Sequence, residues 1–334
     1  MGHADLPPDR VVLGRLIANR YLVEGLCERT EESASYRAYH LGLDRSVLLR
    51  VLPERRAVTQ HACHRALELA DCVSKLPNAH LGRTLDVGLV AGRFPFAVYE
   101  FSKGRSLAAV LAYGGPLEMD RLVRLGRQLT GALETAHGAG MLHGSLRLDH
   151  MWLESLACRP EWLRLLGFGL CELPEREFEG PSSGVFPSAA GRRVQAPEAA
   201  GAGLFSGAEL SRDGALRAEL YSLGCCLHEL ATGARPSRTG VSAGWESELA
   251  GSPGPAVQRG LRLLVQRCLR VLPDTPGYAS LSEVSRDLER LETSALSVAA
   301  PPPASLRPPV TVVHAPAPRA RVALGGPKVI VQGG

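Results

Sequence analysis

Few residues of this 334-residue chain could carry out chemistry, and their positions limit what that chemistry is. His61-Ala62-Cys63-His64 offers three metal-type ligands. No second set stands at matching spacing, and a structural zinc site needs four. An exposed helix start is the plainer reading, and no metal site is expected. Asp149 is the only aspartate between Asp120 and Asp213, and it ends the run Leu142-His143-Gly144-Ser145-Leu146-Arg147-Leu148-Asp149-His150 one residue from its close. The Ser145 hydroxyl has near-water acidity and cannot act as a base at pH 7 without an activating partner. Lysine occurs only at Lys75, Lys103 and Lys328, and asparagine only at Asn19 and Asn78. Any mechanism that needs a lysine before Lys75 or an asparagine after Asn78 is therefore excluded. The 8 cysteines include no C-x-x-C pair, which reads as reduced thiols and not as a disulfide frame.

The elements that must position these residues can be read from hydrophobic periodicity. Tyr21–Val23, Ser35–Tyr39 and Ser46–Leu52 are short β-prone runs separated by turns, and an antiparallel start follows. Residues 61–76 place Ala66, Leu69, Ala70, Val73 and Leu76 on one helical stripe. Leu85–Val90 and Phe94–Glu100 return to strand character. After Gly104 the pattern is mostly helical, with long segments at Leu117–His137, Gly214–Thr232, Val257–Leu272 and Leu281–Leu291. From about Ser294 onward prolines cluster, as in Pro301-Pro302-Pro303, and the apolar periodicity stops.

Composition bounds the class. A content of 45% hydrophobic and 22% charged residues suits one large or two modest globular domains. The formal charge is +4; no acid follows Glu292, while Arg307, Arg319, Arg321 and Lys328 do, so residues 1–292 are neutral overall. Four scattered bases are too weak a footprint for nucleic-acid binding. No apolar run approaches the roughly 18 residues of a membrane span. The N-terminus, with Asp5, Pro7, Pro8, Asp9 and Arg10, does not read as a secretory signal, and the expected location is the cytoplasm.

In this order and spacing the motifs resemble those of bacterial serine/threonine protein kinases over residues 20–292. Val47-Leu48-Leu49-Arg50 is similar to the lysine-bearing third strand, and Leu142–His150 to the catalytic loop H-R-D-L-K-P-x-N. Gly167-Phe168-Gly169 stands at D-F-G, Ala196-Pro197-Glu198 at A-P-E, and Tyr221-Ser222-Leu223-Gly224 in the buried helix of the large lobe. The resemblance implies an α+β, bilobal protein kinase-like fold: a small antiparallel β-sheet lobe with one helix (20–100), a hinge (101–105) and a larger, mainly helical lobe (106–292). Residues 1–19 would be an N-terminal extension. Residues 293–334 would be a basic, proline-rich tail, flexible or able to add Val310–Val313 or Val329–Val331 as a strand to a sheet.

The same resemblance implies that the chemistry has been lost. Phosphoryl transfer rests on positioning and charge neutralisation, so each missing charge counts. Glu28, Thr30 and Ser33 occupy the glycine positions of the phosphate-covering loop, where Glu31 and Glu32 add further charge. A like-charge contact near 4 Å costs roughly 4 kcal/mol at an effective dielectric of about 20, so an exposed acidic turn is expected. Arg50 replaces the phosphate-holding lysine, and a planar fork is a poor substitute for a point charge; a pairing with Glu68 is expected. Ser145 replaces the catalytic aspartate, leaving Asp149 as a weak candidate base. His150 and Gly167 replace the two magnesium ligands, although magnesium wants hard oxygen donors. Leu48 stands at the adenine ceiling and Trp152 at its floor, and with Glu100 and Phe101 at the hinge they complete a degenerate nucleotide cleft.

Other matches are architectural. His143 and Phe168 fall in the apolar column that joins the lobes, and Glu219 stands where an aspartate braces the catalytic loop. Glu198 has no arginine at the expected place in Leu272–Gly277. Phosphorylation at Ser182, Ser183 or Ser188 would lack its receiving arginine, because Gly144 occupies that position. The expected function is that of a pseudokinase: a protein-binding or regulatory signalling module with no cofactor, whose partner is a protein such as an active kinase or another signalling component. The alternative is a divergent kinase that still binds ATP and magnesium and transfers phosphate through a non-standard site.

Overall fold

The structure is a computed structural model that describes residues 6–7, 9–30, 33–54, 60–144, 146–154, 161–170, 212–236, 255–270 and 276–299. Strand β1 (Leu16–Ile17) opens a six-stranded antiparallel sheet with β2 (Tyr21–Arg29), β3 (Ala34–His40), β4 (Arg45–Val51), β5 (Thr84–Val90) and β6 (Phe94–Glu100). Their order in space is β1-β2-β3-β4-β6-β5. Period-2 alternation sets the faces: on β2, Tyr21 and Val23 are buried while Leu22 and Glu24 face solvent. Ser35 pairs with Arg50 across β3 and β4, and Arg50 with Ala97 across β4 and β6. Arg50 thus lies in the middle of the sheet, on the same face as Leu48.

Helix α2 (Gln60–Ser74) packs on this sheet through Ala62 and Ala66, while Val73 on the same apolar stripe joins the large-lobe core. The large lobe is built from α3 (Leu107–Gly114), α4 (Met119–Gly138), α5 (Arg212–Thr232), α6 (Pro255–Leu269) and α7 (Leu281–Ala299). Leu122, Leu129, Leu223, Leu227, Leu264 and Leu288 meet in one core. A small sheet of β7 (Gly104–Ser106), β8 (Met151–Glu154) and β9 (Trp162–Leu165) underlies the cleft. The 3-10 turn Leu148–His150 leads directly into β8.

Two boundaries differ from the expected ones. Residues 9–20 are no separate extension: the short helix α1 (Asp9–Val12) is followed by β1, Val12 and Ile17 join the small-lobe core, and Leu6 is buried as well. The last helix runs to Ala299, seven residues past Glu292. It ends just before the prolines that begin at Pro301, which cannot continue a helix. Among the described residues, no helix is long and apolar enough to cross a membrane. Ser145, the serines at 182, 183 and 188, Ala196–Glu198, and the runs at 310–313 and 329–331 lie outside the described residues.

Candidate functional site

Arg50 projects from β4 into the cleft and is only 1% exposed. One terminal nitrogen donates to the Asp149 carboxylate at 2.5 Å and to Ser33 Oγ at 2.7 Å; the other donates to the Asp149 carbonyl. Arg147 closes on the same carboxylate, with Nε 2.9 Å from Oδ1 and a terminal nitrogen 3.3 Å from Oδ2. The expected pairing of Arg50 with Glu68 does not occur. Glu68 lies off the buried stripe of α2, with a side chain 63% exposed, and faces His64 at 3.1 Å. Burial opposes ionisation of Asp149, but Arg147 and Arg50 outweigh it and hold its carboxyl well below the usual range. A carboxylate so strongly stabilised accepts a proton poorly, because a general base works best with a pKa near the operating pH.

His150 is buried beside this cluster, and burial pushes its imidazole pKa well below the ordinary value, so the ring is neutral. It lies against Gly167, whose φ is +93°. A Cβ at Gly167 would come within 3.0 Å of the His150 ring. The two residues at the magnesium-ligand positions thus pack as ring against glycine. Among the described residues no group of three or more His, Cys, Asp or Glu could hold a metal ion.

Trp152 is 2% exposed, and its indole N–H donates to the Ser102 carbonyl at 3.3 Å. It shares one buried apolar cluster with Leu48, Ala97, Tyr99, Leu166 and Leu170, against which Phe101 also packs. The two residues read as ceiling and floor therefore belong to the same apolar interior. Gly104 permits this approach, since a Cβ there would lie 2.8 Å from the indole nitrogen. Glu100 stays half-exposed at the strand end, 3.7 Å from both Arg45 and Arg83.

The residues at the glycine positions do not form a simple exposed acidic turn. Glu28 turns inward, and one carboxylate oxygen accepts from the Ser106 N–H of the large lobe at 2.9 Å. That N–H belongs to the N-cap of α3, where unpaired donors and the helix dipole favour a carboxylate. Thr30 and Ser33 close the turn, with the Ser33 N–H donating to Thr30 Oγ1 at 3.1 Å. Glu31 and Glu32 lie outside the described residues. In front of the cleft is a cavity of about 330 Å³ lined by Glu28, Arg29, Tyr113, Arg147, Asp149 and Glu229, among others.

Behind the catalytic-loop segment, Glu219 acts as the expected brace. Its carboxylate accepts from the N–H groups of His143 (2.8 Å) and Gly144 (2.9 Å) and contacts His137 Nε2 at 2.5 Å. The His143 ring contacts the Leu166 carbonyl at 2.8 Å and meets Phe168 edge-on at 4.7 Å. Gly169 lets α2 approach, since a Cβ there would lie 2.3 Å from the Ala66 carbonyl oxygen.

Sequence reasoning missed three partnerships: Arg147 with Asp149, Glu28 with Ser106, and Asp9 with Arg29 and Tyr36. The i,i+2 spacing of Arg147 and Asp149 was the one available signal. The other two join residues 78 and 20 positions apart.

No family model matches the chain. Serine/threonine-protein kinase pkn3 of Myxococcus xanthus is 27% identical over 297 residues, covering 84% of this chain and 53% of that protein. Serine/threonine-protein kinase PknL of Mycobacterium tuberculosis is 30% identical over 230 residues, covering 68% of this chain and 53% of that protein. The chain thus spans about half the length of these curated relatives. Among solved structures, the PknI kinase domain of Mycobacterium tuberculosis superposes with a TM-score of 0.60 at 20% identity, covering 83% of this chain and 98% of that one. That likeness establishes the fold: a curled antiparallel sheet lobe joined to a helical lobe.

Proposed function

From the premise that this chain belongs to the bacterial serine/threonine protein kinase-like family, we propose that it is a pseudokinase, a kinase-shaped signalling module that transfers no phosphate. It acts in the cytoplasm by binding a protein, such as an active kinase or another signalling component. The observation that carries this reading is the engagement of Arg50, whose terminal nitrogens are bonded to Asp149 and Ser33 inside the cleft. The residues at the nucleotide position do not fit a magnesium–nucleotide complex. The cation that would meet phosphate already has its acceptors, Gly167 has no ligand atom, and His150 fills the space beside it. Trp152 and Leu48, at the positions that the resemblance assigns to the adenine floor and ceiling, share one buried apolar cluster, and a tryptophan buries on the order of 200 Å². The divergent-kinase reading draws on the names of the relatives and on the cavity at Asp149.

Thermal-shift titration with Mg-ATP, Mn-ATP and free ATP, beside incorporation of radiolabelled phosphate, separates the two. A ligand at 100 times its Kd adds about 2.7 kcal/mol of stability; the expected outcome is no shift and no incorporation. Incorporation that disappears in an Asp149→Asn variant that still melts cooperatively would overturn the proposal in favour of the divergent kinase.

A further inference from the structure

We infer that residues 6–7 and 9–13 form a strap that holds the mouth of the cleft closed by pinning the Glu28–Arg29 stretch against the large lobe. This goes beyond the loss of phosphotransfer and does not depend on it. Three observations build the strap. First, Leu6, Pro7 and Val12 are buried, and Val12 joins the small-lobe core with Val11 and Leu13 packed beside it, so the segment is anchored by apolar contact. Second, Arg29 is gripped by that segment: its guanidinium donates to the Pro7 carbonyl at 3.1 Å, to the Asp9 carboxylate and to Tyr36 Oη at 3.1 Å. The Tyr36 hydroxyl in turn donates to Asp9 at 2.8 Å, and Tyr36 is itself fully buried, so this triangle is fixed to the sheet. Third, the residue adjacent to Arg29 is Glu28, which reaches across to the Ser106 N–H of α3.

The path therefore runs from buried apolar anchor to Asp9, to Arg29, to Glu28, and on to the first turn of α3. Both Glu28 and Arg29 line the 330 Å³ cavity in front of the cleft, as do Ala108, Ala109 and Ala112 of α3. Loosening the strap would release the Arg29 side chain at the end of β2, let that strand end shift on β3 and withdraw the Glu28 carboxylate from Ser106. The cavity would then widen without any change in the buried Arg50–Asp149 pair.

The test is hydrogen exchange by mass spectrometry on the full chain. Asp9→Ala is expected to raise exchange on the order of tenfold in peptides over residues 104–112, the scale set by losing a charge-assisted contact, while α4 peptides over 119–138 keep their parent rate. Arg29→Met, which retains the aliphatic stem, should do the same if Asp9→Ala folds poorly. Coupling between sites is reciprocal, so Glu28→Gln must also speed exchange over residues 9–15, where Leu13 N–H donates to the Asp9 carbonyl. Arg37→Gln removes an exposed ion pair with Glu24 in the same lobe and serves as the control, with no change at 104–112 expected. Increased exchange confined to residues 6–15 in Asp9→Ala and Arg29→Met, or an equal rise in α4, would overturn the inference.

Discussion

The front and the back of the catalytic-loop segment are both held by buried carboxylates, but by different kinds of bond. At the front, Asp149 is bound by side chains, the guanidinium groups of Arg50 and Arg147. At the back, Glu219 receives backbone N–H groups from His143 and Gly144, beside a contact to the His137 side chain. A side-chain network can be exchanged as a set, because every member can be replaced together. Backbone donors remain whatever the sequence, and each buried donor needs an acceptor. The acceptor behind the loop therefore cannot be dispensed with, whereas the side-chain set facing the cleft can be replaced together.

The comparison can be broken most directly at the front. Asp149→Ala leaves two buried guanidinium groups without their carboxylate and is expected to cost about 3–5 kcal/mol in urea unfolding. Replacing the set, Arg50→Met with Arg147→Met and Asp149→Leu, should restore most of that loss, since a buried ionic cluster is often no more stable than well-packed apolar residues. Glu219→Ala is expected to cost about 2–4 kcal/mol, from two unpaired backbone donors, and no apolar substitution at nearby side chains should recover it. Recovery of Glu219→Ala by apolar replacement, or failure of the triple variant to exceed Asp149→Ala, would remove the distinction.

The ring-against-glycine packing sharpens it at a smaller scale. Gly167→Asp drives a side chain into the His150 ring, and such overpacking costs about 1–3 kcal/mol. His150→Asn in the same chain should recover the steric part, read as a rise in Tm over Gly167→Asp alone. Equal Tm values for the single and double variants would show that His150 does not set the space.

The smallest effect is in pH dependence. Burial holds both His143 and His150 below their ordinary pKa, so the folded chain takes up protons at these rings less readily than the unfolded chain. The unfolded chain takes up protons at these histidines below about pH 6.5, so their contribution is present above that pH and is lost as the pH falls. Asp149 acts in the same direction, at lower pH. Despite the opposing burial, Arg147 and Arg50 depress its pKa, so its contribution is intact above about pH 4 and fades only in stronger acid. Urea unfolding between pH 6 and pH 5 should therefore weaken with acid, with a shallower slope in His150→Asn. An unchanged slope would assign those protons to other groups.

Much of the scaffold was legible in the sequence. The run Phe94–Glu100 is strand β6 to the residue, and the stripe of Ala66, Ala70 and Val73 is the buried face of α2. Both depend on periodicity within a few residues, which sequence displays directly. The role of Glu219 was legible because the motif offered the position and a carboxylate stood there. Glu28 was misjudged as exposed because its acceptor role depends on a backbone N–H in the other lobe, which no side-chain pattern marks. The first residues were assigned outside the domain because a helix of one turn at Asp9–Val12 is too short to show a period.

The inventory alone determined which chemical groups exist: three lysines and two asparagines, with one aspartate across the catalytic stretch. Tertiary structure gave those present their roles. Lys75 pairs with Asp71 on the surface of α2, and the Asn78 side-chain amide donates to the Gly131 carbonyl and Thr135 of α4. It also decided that Arg50 meets Asp149, 99 positions away, and not the nearer Glu68. Composition and period are counted along the chain, whereas a buried charge pairs with whatever the packing of the lobes brings within about 3 Å.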